Sequence, residues 1–310
     1  MRQIAIISGK GGTGKTSIVA SLFALAGRAV AVDCDVDAAD LALVVPGDDV
    51  LREPFVAGRK AVLDCESCAA CAECVSACRS GALELDTDTE TIRVDPLRCE
   101  GCGVCGLVCP MGCVSYRDNV AGEWMVRRTS SGILVHAALG IAQDNSGKLV
   151  AHIREEARRL AKAEGHDLIL IDGPPGIGCP VHAAITGADL LLVVTEPTLS
   201  GEHDLIRVMD LADHFMLDVN VLINKHDLAP RLTSRIEALC ARRGVDVVGR
   251  LPFDPAVPVA LSRGELPLVV ESVAPHLHAL GIALLGRQHV SPGVLPRREA
   301  RPVDRGAVDD

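Results

Sequence analysis

Residues 4–8 form an unbroken apolar run that leads directly into Gly9-Lys10-Gly11-Gly12-Thr13-Gly14-Lys15-Thr16, and Ser17-Ile18-Val19-Ala20 follows at once. A strand that ends in a glycine-rich loop and then opens a helix leaves few folds open. The loop N–H groups and the helix N-terminus make a concave anion site, so the strand and helix must be the first βα unit of an α/β sheet. Residue by residue, Gly9, Gly11, Gly12 and Gly14 let the backbone wrap phosphates, with Thr13 and Ser17 bordering them. Lys15 reaches the β and γ oxygens, and the Thr16 hydroxyl is placed to ligate Mg2+.

Downstream, short apolar runs at 29–33, 168–172, 190–195, 219–224 and 245–251 alternate with helical stretches such as 151–164 and 231–243. Alternation of this kind predicts βα units, hence a P-loop NTPase with a mainly parallel sheet flanked by helices. Hydrophobic residues make up 48% of the chain but aromatics only 2%, so the core must be built from Ala, Val, Leu and Ile, as buried parallel strands prefer. Two acids end or follow apolar strands: Asp35 in Asp33-Cys34-Asp35-Val36-Asp37, and Asp172 in Leu168-Ile169-Leu170-Ile171-Asp172-Gly173-Pro174-Pro175-Gly176. Behind a phosphate loop, Asp172 reads as the Walker B acid. Asn224-Lys225-His226-Asp227 also follows an apolar strand and reads as a base-contacting segment, for adenine through Asn224 or for guanine as an Asn-Lys-x-Asp run.

The βα rhythm breaks between 60 and 116. Here lie Cys68-x2-Cys71-x2-Cys74-x3-Cys78 and Cys99-x2-Cys102-x2-Cys105-x3-Cys109-Pro110, each followed by a glycine and a short strand-like segment. This doubled spacing is that of a bacterial ferredoxin, in which three thiolates of one run hold a cubane and the fourth cysteine reaches the neighbouring one. It assigns Cys68, Cys71, Cys74 and Cys109 to one [4Fe–4S] cluster and Cys99, Cys102, Cys105 and Cys78 to the other. Arg79 stands where Pro110 stands in the second run. Zinc sites prefer paired knuckles across longer loops, which this spacing lacks. A unit this small does not support a core without its metal. The expected organisation is therefore a discontinuous nucleotide domain (1–59 and 117–288), an inserted α+β ferredoxin-like domain (60–116) and a disordered tail (289–310).

Of thirteen cysteines, Cys34, Cys65, Cys113, Cys179 and Cys240 fall outside the ligand set. Cys240, on a helix, reads as a small buried hydrophobe, and Cys113 simply lies near a cluster. The net charge is −10, and residues 60–118 carry ten acids against five bases, half of that total. This balance argues against sequence-independent nucleic-acid or anionic-membrane binding and favours a redox partner with a basic docking surface. The first residues run into the strand and loop without a leader pattern, and thiolate clusters need a reducing interior, so a cytoplasmic location is expected.

The lysine at the start of the loop, Lys10, together with the Asp33–Asp40 segment, Asp172-Gly173-Pro174-Pro175-Gly176 and the inserted cysteine runs, resembles the deviant-Walker ATPases of the MinD/ParA/Mrp/nitrogenase-iron-protein class, and in particular members with an inserted ferredoxin domain. The resemblance implies a nucleotide-sandwich homodimer in which Lys10 contacts nucleotide across the interface, Asp35 orients the attacking water and Asn224 meets adenine. It also aligns Cys179 with a cysteine that bridges subunits through a cluster in the nitrogenase iron protein, although no second cysteine lies between 119 and 167. The function expected is ATP hydrolysis coupled to electron transfer. The alternative is an Mrp-type cluster carrier, for which the chain offers only Cys240 near its C-terminal end.

Overall fold

The computed structural model describes residues 1–141, 143, 145–286 and 290; the expected tail lies outside them, Val290 excepted. In chain order the elements are β1 (Arg2–Ser8), α1 (Lys15–Ala26), β2 (Ala29–Asp33), α2 (Leu41–Val44), β3 (Asp48–Leu63), α3 (Glu73–Ala77), β4 (Leu83–Asp86), β5 (Thr91–Val94), α4 (Val104–Val108), β6 (Val114–Thr129), β7 (Gly132–Leu139), α5 (Ser146–Glu164), β8 (Leu168–Pro175), α6 (Cys179–Ile185), β9 (Leu190–Thr195), α7 (Leu199–His214), β10 (Val219–Asn224), α8 (Pro230–Arg243), β11 (Asp246–Leu251), α9 (Ala256–Ser262) and α10 (Ala274–Leu285).

A nine-stranded sheet runs in the order β11-β10-β9-β1-β8-β2-β7-β6-β3. Strands β11 through β7 are parallel, and β6 and β3 add an antiparallel edge. The apolar runs are continuous because both faces are covered. Ala5, Ile7, Val30, Val32, Ile169 and Ile171 pack on one side with residues of α5, α6, α7 and α8. Ile4, Ile6, Ala29, Ala31, Leu168 and Leu170 pack on the other with α1 and α10. This is the α/β architecture that the sequence predicts.

The antiparallel edge was not anticipated. β3 and β6, each 16 residues long, pair from Asp48↔Arg128 to Leu63↔Val114, with irregularities at Asp49/Leu51, Phe55/Val56 and Val56/Arg59. The expected limits at 60 and 117 fall inside these strands, so the cysteine segment is carried on the end of a ribbon rooted in the main sheet. The ribbon bends at Gly58 (φ +75°), where the Asn119 side chain donates to the Ala57 carbonyl (3.2 Å) and to Gln143 (2.7 Å). At its root, Trp124 packs edge-on against His152 of α5.

In the cysteine lobe, helices α3 and α4 and the β4–β5 hairpin repeat one pattern. Cys68 and Cys99 are 31 residues apart, and so are the left-handed pairs Ala70/Gly101, Ala72/Gly103 and Gly81/Gly112. The strand before the first run pairs with the strand after the second, and the strand after the first pairs with the strand before the second.

Gly132 combines φ +130° with a position at which a Cβ would stand 2.0 Å from the Ala29 carbonyl oxygen. Gly132→Ala should therefore lower unfolding free energy in urea by about 3 kcal/mol or more, whereas Gly244→Ala, left-handed but facing open space, should cost about 1–2 kcal/mol. Equal losses would refute the steric account.

Candidate functional site

The phosphate loop joins β1 to α1 at the C-terminal edge of the sheet. A Cβ on Gly9 would stand 2.2 Å from the Asp204 Cβ, so only glycine lets α7 approach the loop this closely. Lys15, the first residue of α1, is buried and ion-paired with Asp172 on β8. Thr16, the next residue, has its side chain beside Asp172. Asp33 lies directly beside Asp172 in the β2–β8 register and accepts the N–H groups of Leu41 (3.0 Å) and Asp35 (3.1 Å).

Two buried carboxyls thus face one buried ammonium. Burial pushes the Asp33 carboxyl well above the usual range, and the Asp172 charge adds to it. Burial also raises Asp172, against the pull of Lys15, and raises the half-buried Asp35, again against Lys15. Asp172 Oδ2 and Thr13 Oγ1 are buried without a hydrogen-bond partner. A carboxylate oxygen with no donor, a hydroxyl beside it and an excess of acid over base fit a divalent cation. Thr16 and Asp172 are the residues that would hold it.

Lys10 is not drawn into this cluster. Its ammonium, one third exposed, lies 3.4 Å from Glu196 and 3.5 Å from the hydroxyls of Thr198 and Ser200. Glu196 also pairs with Lys225, which reaches the Gly12 carbonyl (3.5 Å). The sequence reading passed over Glu196. It follows the buried strand β9 much as Asp172 ends β8, and that shared position was the available signal. Asp33, quoted within its segment but given no role, belongs to the same class of strand-terminal acids.

Asn224 braces the loop, its amide donating to the Thr13 carbonyl at 2.8 Å. Beside it opens a cavity of about 290 Å3 lined by Gly14, Ser17, Asn224, Pro252, Phe253 and Val257, among others. Asp227 accepts the Phe253 N–H at 2.7 Å and so fixes this wall. No motif points to Pro252 or Phe253, because the wall is assembled only when the chain beyond β11 folds against α1.

In the cysteine lobe, Cys78, Cys99, Cys102 and Cys105 line one small pocket with Tyr116 and Ala82. Cys74 has Cys68, Cys105 and Cys109 as its thiol neighbours. The Ala82 N–H donates to Cys78 Sγ (3.3 Å), and Cys109 Sγ lies 3.4 Å from Cys113 Sγ. Cys71 and Cys102 are exposed. Among the described residues no group of three or more His, Cys, Asp or Glu side chains is arranged to hold a metal ion. A cubane places its four irons at separate corners, each with one thiolate, so its ligands need not converge on one point. Eight thiols in this spacing are a donor set of the kind such a group takes.

Of the remaining cysteines, Cys34 and Cys240 are buried, with burial pushing the Cys240 thiol up to about 11. Cys179 is exposed at the start of α6, and Cys65 is exposed. No helix among the described residues is long and apolar enough to cross a membrane.

A family model described as the CobQ/CobB/MinD/ParA nucleotide binding domain matches residues 4–268. The chain belongs to that family. Protein MJ0578 of Methanocaldococcus jannaschii is 34% identical over 232 residues, covering 72% of this chain and 78% of that protein. The ATP-binding protein MJ0547 of the same organism is 26% identical over 276 residues, 86% of this chain and 80% of that one. Among solved structures, the septum site-determining protein MinD of Pyrococcus horikoshii, complexed with Mg-ADP, shares the fold. Its TM-score is 0.57 at 18% identity, over 94% of this chain and 99% of that one. For this member of the CobQ/CobB/MinD/ParA family, the descriptions of these relatives speak to nucleotide binding. None of the three names iron–sulfur chemistry, and the inserted ferredoxin reading gains nothing from them.

Lys15→Ala should weaken nucleotide binding by on the order of 100-fold, as expected for loss of charge-assisted phosphate bonds worth about 3 kcal/mol. Titration with a fluorescent nucleotide analogue reads this. Unchanged affinity in a folded variant would remove the loop from the binding site.

Proposed function

We propose that this protein is an ATP-hydrolysing switch, acting as a nucleotide-sandwich homodimer, that controls electron transfer through two [4Fe–4S] clusters held in a ferredoxin-like insert at 60–116. The observation that carries the reading is a packed route between the two halves. A Cβ on Gly147, in the first turn of α5, would stand 3.7 Å from the carbonyl oxygen of Cys179, which opens α6 directly after the 173–178 segment. At the N-terminus of that same helix, the Asn145 amide lies 3.7 Å from the position of a Cβ on Gly58, the bend of the ribbon. Beyond the bend, Arg59 lies over the Tyr116 ring (4.2 Å) and Lys60 donates to the Cys99 carbonyl (2.7 Å). These close approaches between α5, α6, the ribbon and the second cysteine run support a path by which a displacement of 173–178 on nucleotide turnover reaches the lobe.

At the nucleotide end, Lys15 draws negative charge from the β and γ phosphates, and the loop N–H groups hold them in place. Thr16 and Asp172 would hold Mg2+, which when bound neutralises charge between the β and γ oxygens. Asp35, at the edge of the site, orients the attacking water. Asp227, the group that would read a guanine edge, is engaged by the Phe253 N–H, which supports ATP with Asn224 at the loop beside the base. Lys10, held at the surface by Glu196 rather than beside Lys15, stands where a second copy can meet it. In the lobe, Cys68, Cys71, Cys74 and Cys109 would hold one cluster and Cys99, Cys102, Cys105 and Cys78 the other; such clusters supply one-electron storage when present. The acidic surface of the lobe favours a basic redox partner. The cluster-carrier alternative has less support, because Cys240 is fully buried in α8.

Anaerobic protein titrated by EPR should show a shifted midpoint potential or altered coupling between its clusters on addition of MgATP, and Lys15→Ala should abolish that response. Identical spectra and potentials with and without MgATP would overturn the coupling.

A further inference from the structure

The doubled lobe is symmetric in its left-handed turns, but one position breaks the symmetry. Cys113 is the repeat mate of Ala82, 31 residues apart. Both are buried, Ala82 at 1% exposure, so a methyl group satisfies the packing at this position and the sulfur in the other half is not required as filler. Cys113 Sγ lies 3.4 Å from Cys109 Sγ. An extra sulfur therefore touches a ligand assigned to the first cluster, and the second cluster has an alanine at the same place.

We infer that Cys113 is a standby ligand of the first cluster and takes the iron that Cys109 holds when Cys109 is lost or displaced. The inference rests on the two-cluster reading of the lobe. In the exchange, the Cys113 thiol gives its proton to solvent and forms the Fe–S bond. The Cys109 thiolate leaves the iron and takes up a proton. One thiolate replaces another, no electron moves and the cluster keeps its charge. The contact makes the exchange local, since the incoming sulfur already touches the outgoing one. Cys78, the counterpart of Cys109 in the other half, is followed by Ala82 and has no such reserve.

The test is iron and sulfide content with EPR on anaerobically purified full-length variants, circular dichroism confirming that each is folded. Wild type and Cys113→Ala should each carry about eight irons per chain, and Cys78→Ala about four, the content of one cubane. Cys109→Ala should retain close to the wild-type content with an altered EPR signal, and Cys109→Ala/Cys113→Ala should fall by about half. A Cys109→Ala protein that drops as far as Cys78→Ala while the wild type stays full overturns the standby role alone. So does a Cys113→Ala protein that loses half its iron, since Cys113 would then be the resident ligand. Wild-type protein without iron–sulfur spectra overturns the two-cluster reading and the inference with it.

Discussion

One buried cation organises the nucleotide end of this molecule. Lys15 begins α1 and pairs with Asp172 on β8, beside which Asp33 ends β2, so the ammonium ties the helix to β8 and acts on both carboxyls at the sheet's carboxyl edge. Removing one partner of such a pair leaves an uncompensated buried charge and costs about 3–5 kcal/mol. Here, two carboxyls share a single lysine, and each is held above its ordinary pKa by burial. A nucleotide with its divalent ion brings both an anion for Lys15 and a cation for the spare carboxylate oxygen. Binding therefore rearranges the charge on β2 and β8 together. Glu196 does a related job one layer out, gathering Lys10 and Lys225 from separate segments around the mouth of the loop.

Much of this was legible before any coordinates. Residues 4–16 announce the first βα unit because an apolar strand runs straight into a glycine-rich phosphate loop and a helix start, and Asp172 follows from its place at the end of a buried run. The parallel strands are readable because burial on both faces leaves an uninterrupted apolar signature. The strands β3 and β6 were not, and the reason is physical. Asp48–Leu63 is largely solvent-exposed, and it contains Pro54 and Gly58, residues tolerated at an edge strand and a bend but hostile to a central strand. Its pairing is set by the partner strand rather than by its own alternation. The wall at Pro252 and Phe253 was invisible for a similar reason, since it becomes a site only through tertiary contact with the loop.

The ribbon changes how the insert is understood. A module joined through loose linkers would move independently of its host, whereas here the host's own edge strands continue into it and leave the sheet through one bend at Gly58. The lobe's apolar clusters are small, centred on Ala61, Ala82 and Cys99 on one side and Cys74, Leu83 and Ile92 on the other. Cysteine is a large share of what is buried there. The lobe's order is thus tied at one end to the sheet and at the other to whatever its thiols bind.

The two halves of the lobe also differ in stored strain. Gly101 and Gly103 adopt left-handed backbone freely, but Ala70 and Ala72 hold the same conformation with side chains that disfavour it by about 1–2 kcal/mol each. The first half is therefore the spring-loaded one. On the two-cluster proposal, this half would relax before its glycine-built twin once its thiolate bonds were stripped, and the clusters would be lost in order rather than in a single collapse.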